Sequence, residues 1–268
     1  GIDDDKNGYI DDIHGWNFLG GRDGKNVKED SYEGARVYHK LKLIWEGKEV
    51  DTSKLSPQDK FSYETYLRAK EKTVGGVSEQ ELAFIKQLMP RYAKGDSVLR
   101  KELGKEEYNG NDIKEHETTD ASAKSAKAFL LNISKANGSY DITNQQLLDE
   151  FNGQLRKADA AKNPPEEFRK NVTKDDESNF NDRNYGNSDV MGPYSRHGTH
   201  VSGIIAAQRN NSLGIDGIAD NVKIMMLRAV PNGDEYDKDV ALAIRYAVDN
   251  GAKVINMSFG KRFSPQKK

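Results

Sequence analysis

Apolar positions along the chain change their period twice. Between about residues 29 and 168 they recur every three or four positions, as the buried stripe of a helix does. Tyr38, Leu41, Ile44 and Trp45 form one such stripe, ending near Gly47, and Leu82, Ile85, Leu88, Met89 and Tyr92 form a second. Ala126, Phe129, Leu130 and Ile133 form a third, ending near Gly138, and Leu147, Leu148, Phe151 and Leu155 a fourth. Helix starts are written in front of them. Ser56-Pro57-Gln58-Asp59 offers a capping hydroxyl with proline at the first helical position. Ser78-Glu79-Gln80-Glu81 and Thr143-Asn144-Gln145-Gln146 are capping boxes, in which the two end side chains each satisfy an orphan amide. Pro90 is expected to end or kink its helix. The stretch is long enough to be a helical subdomain with its own small core.

From about residue 169 the pattern switches. An Asn/Asp-rich tract, Asn171 to Asn187, reads as a mobile surface loop. Val222 to Val230 is then almost continuously apolar, as a buried parallel strand would be. Asp237 to Asn250 reads as an amphipathic helix stopped by Gly251, and Val254 to Phe259 as a second strand. Strand, helix and strand make a βαβ unit with parallel strands and a right-handed crossover. Residues 1–28 differ from both regions, being acidic and glycine-rich with Trp16 and Phe18. Three segments follow: 1–28, a helical 29–168, and a strand-bearing 169–268. The fold class is α/β with a partial parallel sheet, helix-dominated overall.

Composition narrows the functional classes. The 268 residues carry 41 Lys and Arg against 43 Asp and Glu, a net charge of −2. So even a balance lacks the basic excess that nucleic acid or an anionic membrane surface demands. No run approaches the roughly 18–20 apolar residues of a membrane helix. The 12 Tyr, 9 Phe and 2 Trp supply groups large enough to build a core. Cysteine is absent, which excludes disulfides, thiolate metal sites and cysteine nucleophiles. The chain begins at Gly1 and ends in Lys261 to Lys268 without a closing element, so both ends are expected to be cuts through something larger.

The strongest chemical signal is Ser195-Arg196-His197-Gly198-Thr199-His200-Val201-Ser202-Gly203, which opens the apolar run Ile204 to Ala207. A histidine on the first turn of a buried helix, near its ordinary pKa of about 6.5, could act as general base for a hydroxyl nucleophile. An isolated histidine is more often a buried structural one. His197 and His200 at i, i+3 could pair on a metal, but no adjacent glutamate completes a zinc-protease pattern. At the other end, Asp3, Asp5, Asn7, the Tyr9 carbonyl and Asp11 fall at the alternating positions of an EF-hand-type loop, with Gly8 for its sharp turn. The twelfth position is His14 rather than a bidentate glutamate, and no helix precedes the loop. Calcium and a solvated acidic turn that bonds its own backbone are both open there.

His197 to Gly203, the run Ala207 to Ala219, and Val254-Ile255-Asn256-Met257-Ser258-Phe259-Gly260 together resemble the subtilisin-like serine peptidases. The resemblance covers about residues 1–28 and 169–268 and leaves the helical stretch as a large insertion between the family's aspartate and histidine segments. It implies a subtilisin-like, doubly wound parallel sheet, with His197 as the triad's general base and His200 as a buried, non-catalytic neighbour. It implies that Ser258, Phe259 and Gly260 form the strand edge that pairs with substrate backbone, with Val230 near the wall of the more distal pockets. It also implies a calcium loop in which the Asn211 side chain and the carbonyls of Arg209, Leu213 and Ile215 are ligands. No organic cofactor is implied.

The departures shape the expectation. The family's aspartate lies in Asp-(Ser/Thr)-Gly and its nucleophile in Gly-Thr-Ser, and neither tripeptide occurs in the sequence. Ser258 lacks the preceding glycine of a nucleophile elbow. A base without nucleophile or orienting acid should be essentially inactive, because triad residues act as a unit. The expectation is therefore a portion of a secreted or cell-envelope serine endopeptidase acting on peptide or protein substrates, partnered by the remaining segments of its domain. Sheet edges left open should also favour self-association. The insertion, lacking any catalytic constellation, is expected to flank the substrate cleft. The alternatives are a non-catalytic peptide-binding module and a calcium-stabilised structural module.

Overall fold

The computed structural model describes residues 1–75, 78–192 and 195–265, so Gln266, Lys267 and Lys268 of the expected cut end lie outside the described residues. The chain divides into two compact units, Gly1–Val37 with Pro165–Lys268, and Tyr38–Pro164.

The second unit is all helical. Helix α1 (Glu33–Trp45) runs into it from the first unit and is followed by α2 (Pro57–Val74), α3 (Glu79–Leu103), α4 (Gly110–Ile113), α5 (Ala121–Ala136) and α6 (Asn144–Ala160). The expected caps form, although at Ser78 only one half of the expected box is made. Ser56 Oγ accepts from Asp59 N at 3.1 Å and Ser78 Oγ from Glu81 N at 3.1 Å, while Thr143 and Gln146 make a reciprocal capping box. Pro90 does not end α3, which continues thirteen residues beyond it to the left-handed C-cap Gly104. Its missing N–H removes the partner of one carbonyl, and the helix holds because its flanks pack. Tyr92, Leu99, Ile113, Ala126, Leu130 and Leu147 form the core. Gly95 lets α3 and α5 approach closely, since a Cβ there would stand 2.2 Å from the Ser122 carbonyl oxygen.

The first unit holds β1 (Gly15–Asn17), α7 (Arg196–Ala206), β2 (Met226–Arg228) and α8 (Asp237–Asp249). β1 and β2 are parallel, with Gly15 opposite Met226 and Asn17 opposite Arg228. Only glycine fits at residue 15, where φ is +124° and a Cβ would lie 1.9 Å from the Met226 oxygen. Trp16, Phe18, Tyr185, Leu242, Ala243 and Tyr246 pack into this unit's core.

Three expectations are corrected here. The first strand is three residues, not Val222 to Val230. Val254 to Phe259 forms no strand, and Val254 is 86% exposed. The parallel partner of β2 is instead β1, far earlier in the chain, with Gly15 in register with Met226, so the βαβ unit does not close. The physical reason is shared: a buried strand needs neighbours on both edges, and among the described residues Val254 to Phe259 has no backbone hydrogen-bond partner. The tract 171–187 begins within a π-helical turn, Arg169–Thr173, and is otherwise irregular.

Candidate active site

His197 sits on the first turn of α7. The helix is held at its other end by the segment after the Arg209–Ile215 loop: Ile218 N donates to Ile204 O at 3.0 Å and Ala219 N to Ile205 O at 2.9 Å. Gly198 faces β2, its Cβ position lying 3.5 Å from the Met226 methyl carbon. No residue of α7 is buried. This corrects the expected buried helix, and His200 with it, which is exposed. Among the described residues nothing covers the outer faces of α7, so its apolar positions remain partly open to water.

A cavity of about 1260 Å³ lies beside α7. His197, Val201 and Ile205 line it from α7, Met225 and Leu227 from the β2 region, Ala243 and Ala247 from α8, and Val254 to Phe259 from the last segment. The structure thus brings His197, Ser258 and Phe259 to one cleft, while Gly260 and Val230 do not line it. The His197 ring is exposed and makes no side-chain hydrogen bond among the described residues. Ser258 Oγ is engaged by Asn256 Nδ2 at 3.0 Å rather than by the imidazole. Asp4, Asp5 and Asp12 also line the cleft, and Asp12 accepts from Tyr246 Oη at 2.5 Å. Burial, then this carboxylate, raises the Tyr246 pKa, so its hydroxyl stays a donor.

The expected calcium loops are folded around their own amides. Asp3 Oδ1 and Asp5 Oδ1 both accept from Asn7 N, Asp3 Oδ2 accepts from Gly8 N, and Asn7 Oδ1 from Tyr9 N. Asp11 accepts from Ile2 N at 3.3 Å. In the second loop Asn211 Oδ1 accepts from Leu213 N at 2.9 Å, and the segment from Arg209 to Ile215 is exposed. Among the described residues no three His, Cys, Asp or Glu side chains converge on one point. No acidic cluster therefore marks either loop as a built cation site among the described residues.

A family model, that of the Subtilase family, matches residues 61–268. The chain belongs to the subtilase family. The match takes in most of α2 and all of α3 to α6 as well as the His197 segment. Among characterised relatives, this subtilase is 48% identical over 82 residues to the thermophilic serine proteinase of Bacillus sp. strain AK1, covering 30% of this chain and 20% of that one. It is 43% identical over 83 residues to the cell wall-associated protease of Bacillus subtilis, covering 31% and 9%. It is 49% identical over 65 residues to thermitase of Thermoactinomyces vulgaris, covering 24% and 23%. The chain therefore spans less than a quarter of each of these relatives. No solved structure matches it.

Sequence reasoning missed a buried charged hub at the N-terminus of this subtilase's α8. Arg169 grips Asp239 through two hydrogen bonds of 2.7 and 2.9 Å, Asp175 accepts from both Arg169 and Lys238, and Tyr185 donates to Asp239. A signal was present: Asp239 lies in phase with Leu242, Ala243 and Tyr246, the buried stripe of α8. A charge on a core face demands a buried partner.

Proposed function

We propose that this chain is the histidine-bearing part of a subtilase serine endopeptidase, with His197 as the general base. The observation that carries the reading is the exposed imidazole on the wall of an open cleft shared with Ser258 and Phe259. In the complete enzyme a serine hydroxyl from further polypeptide would give its proton to His197 as its oxygen attacks the scissile carbonyl, and an aspartate would hold the ring. Ser258 to Gly260 would pair with extended substrate backbone, with Val230 further along. The helical unit is read as an insertion in the peptidase domain. Secretion or a cell-envelope location is proposed alongside, as the name of the Bacillus subtilis relative suggests for that protein.

The apolar lining of the cleft and the unpaired Val254 to Phe259 support pairing with the remaining segments of a peptidase domain, or with a second copy. Because no acid or nucleophilic hydroxyl meets His197 among the described residues, the isolated chain should be inactive. A second reading, a non-catalytic peptide-binding module, is favoured by the same bare imidazole. Calcium is given no part in either reading, since both loops close on themselves.

The experiment compares this chain with its full reading frame. The chain alone should neither hydrolyse casein nor label with a fluorophosphonate probe. A reading frame carrying Asp-(Ser/Thr)-Gly and Gly-Thr-Ser should do both, and His197→Ala in it should lower kcat by about 10⁴-fold or more. A reading frame without those motifs, or a His197→Ala enzyme of full activity, would establish the binding module instead.

A further inference from the structure

The chain leaves the first unit after Val37 and returns to it at Pro165, and both crossings end on one tyrosine. Tyr236, the residue before α8, is 4% exposed. Arg36, just before the outgoing crossing, lies 4.0 Å over the ring centroid. Arg169, just after the returning one, lies 4.6 Å from the same centroid. Each guanidinium is also held by carboxylates and carbonyls, some of them on the segment around Tyr236 itself. Arg36 pairs with Glu33 at 2.7 Å and donates to the Asp234 carbonyl at 3.1 Å, and Arg169 is gripped by Asp239 and Asp175. Glu33 also accepts from Lys261 at 2.7 Å.

The arrangement differs from two separate ion pairs. A desolvated cation over an aromatic face contributes more than the same contact in water. A ring held by two such cations loses its fixed position when either leaves, so the second contact weakens with the first. The geometry points to Tyr236 as a joint that couples the outgoing and returning crossings to each other and to the start of α8, whose Ala243 and Ala247 line the His197 cleft. Loosening one crossing then loosens the other, and the disturbance reaches the cleft wall through α8. Such coupling is a claim about shared free energy, not proximity.

The test is native-state hydrogen exchange on the full 268-residue chain, with circular dichroism confirming the fold. Arg36→Lys keeps the charge but loses the flat guanidinium that stacks on the ring. It should accelerate exchange at Arg169–Asp175 as well as at Ser31–Val37, by about fivefold or more at both. Arg169→Lys should do the same in reverse, and the double variant should fall well short of the product of the two. Tyr236→Phe keeps both ring faces and should leave exchange near wild type. Tyr236→Leu should accelerate both crossings and make the two lysine substitutions multiply independently. Exchange that rises only on the substituted side in both lysine variants, or a double variant equal to the product with Tyr236 intact, would overturn the joint. The readout does not depend on peptidase activity.

Discussion

The two units bury their apolar residues with unequal success. In the helical unit Leu99, Ile113 and Leu130 are wholly inaccessible, and the buried Asp96 is satisfied by Tyr108, Asn144 and Arg100. In the other unit Ile204, Val254 and Met257 remain 44%, 86% and 51% exposed, although their sequence reads as core. The difference lies in where each element's partners are encoded. A helix satisfies its backbone from within four residues and needs only one packed face. A central strand needs an edge on either side, often far away in sequence.

The sharpest way to break this comparison is to truncate one residue from each set. Leu130→Ala should cost about 3–5 kcal/mol, because it leaves a cavity among closely packed helices. Val254→Ala should stay within about 0.5 kcal/mol, as surface changes do. Urea unfolding followed by circular dichroism gives both numbers. A Val254→Ala cost near that of Leu130→Ala would mean that the last segment is packed after all.

The same contrast sets what could be read from the sequence. Ser56, Ser78 and Thr143 announced helix starts because a cap is a contact three residues long. The Glu79 to Leu103 helix overran its proline because packing of Tyr92 and Leu99 outweighs one lost hydrogen bond. β1 was unreadable: Gly15-Trp16-Asn17 is short, opens on glycine, and becomes a strand only because Met226 to Arg228 lies beside it. Of the expected site residues, His197, Ser258 and Phe259 line one cleft, while Val230 and Gly260 do not. The hub was not found, because Arg169 sits just before a tract whose Asn and Asp content reads as loop, and its partner Asp239 is 70 positions away.

Alkaline titration tests whether the units are stable together or apart. Burial, with Tyr92 and Asp96 beside it, raises the pKa of Tyr108 in the helical unit. Burial and then Asp239 do so for Tyr185 in the other. A raised pKa means the folded state prefers the neutral phenol. Stability is complete below the unfolded value of about 10 and declines as pH rises above it. Each unit carries its own reporter, since Trp16 and Trp45 are both buried. With Trp16→Phe and Trp45→Phe as single-tryptophan variants, fluorescence should show both units loosening above about pH 10. The first unit should lead, because it also holds Tyr236 and Tyr246, both raised chiefly by burial. A helical unit that melts first would reverse the ranking drawn from exposed surface.

The smallest expected effect concerns calcium. Asp3, Asp5, Asn7 and Asn211 accept from backbone amides in tight turns, and an ion that drew the same oxygens together would have to bend those turns, which lowers its affinity. A ligand stabilises only in proportion to its preference for the folded state, by RT ln(1 + [L]/Kd). At 1 mM calcium a site with Kd near 1 mM would add only about 0.4 kcal/mol, whereas one with Kd near 10 µM would add about 2.7 kcal/mol. Thermal unfolding in 1 mM calcium and in excess chelator should therefore differ by about 1 °C or less. The loops belong to the less completely packed unit, so Trp16 fluorescence is the place to look. A midpoint raised by several degrees, and abolished by Asp3→Asn with Asp5→Asn, would show that the acidic loop reorganises around an ion, placing part of that unit's missing order in a ligand rather than in further polypeptide.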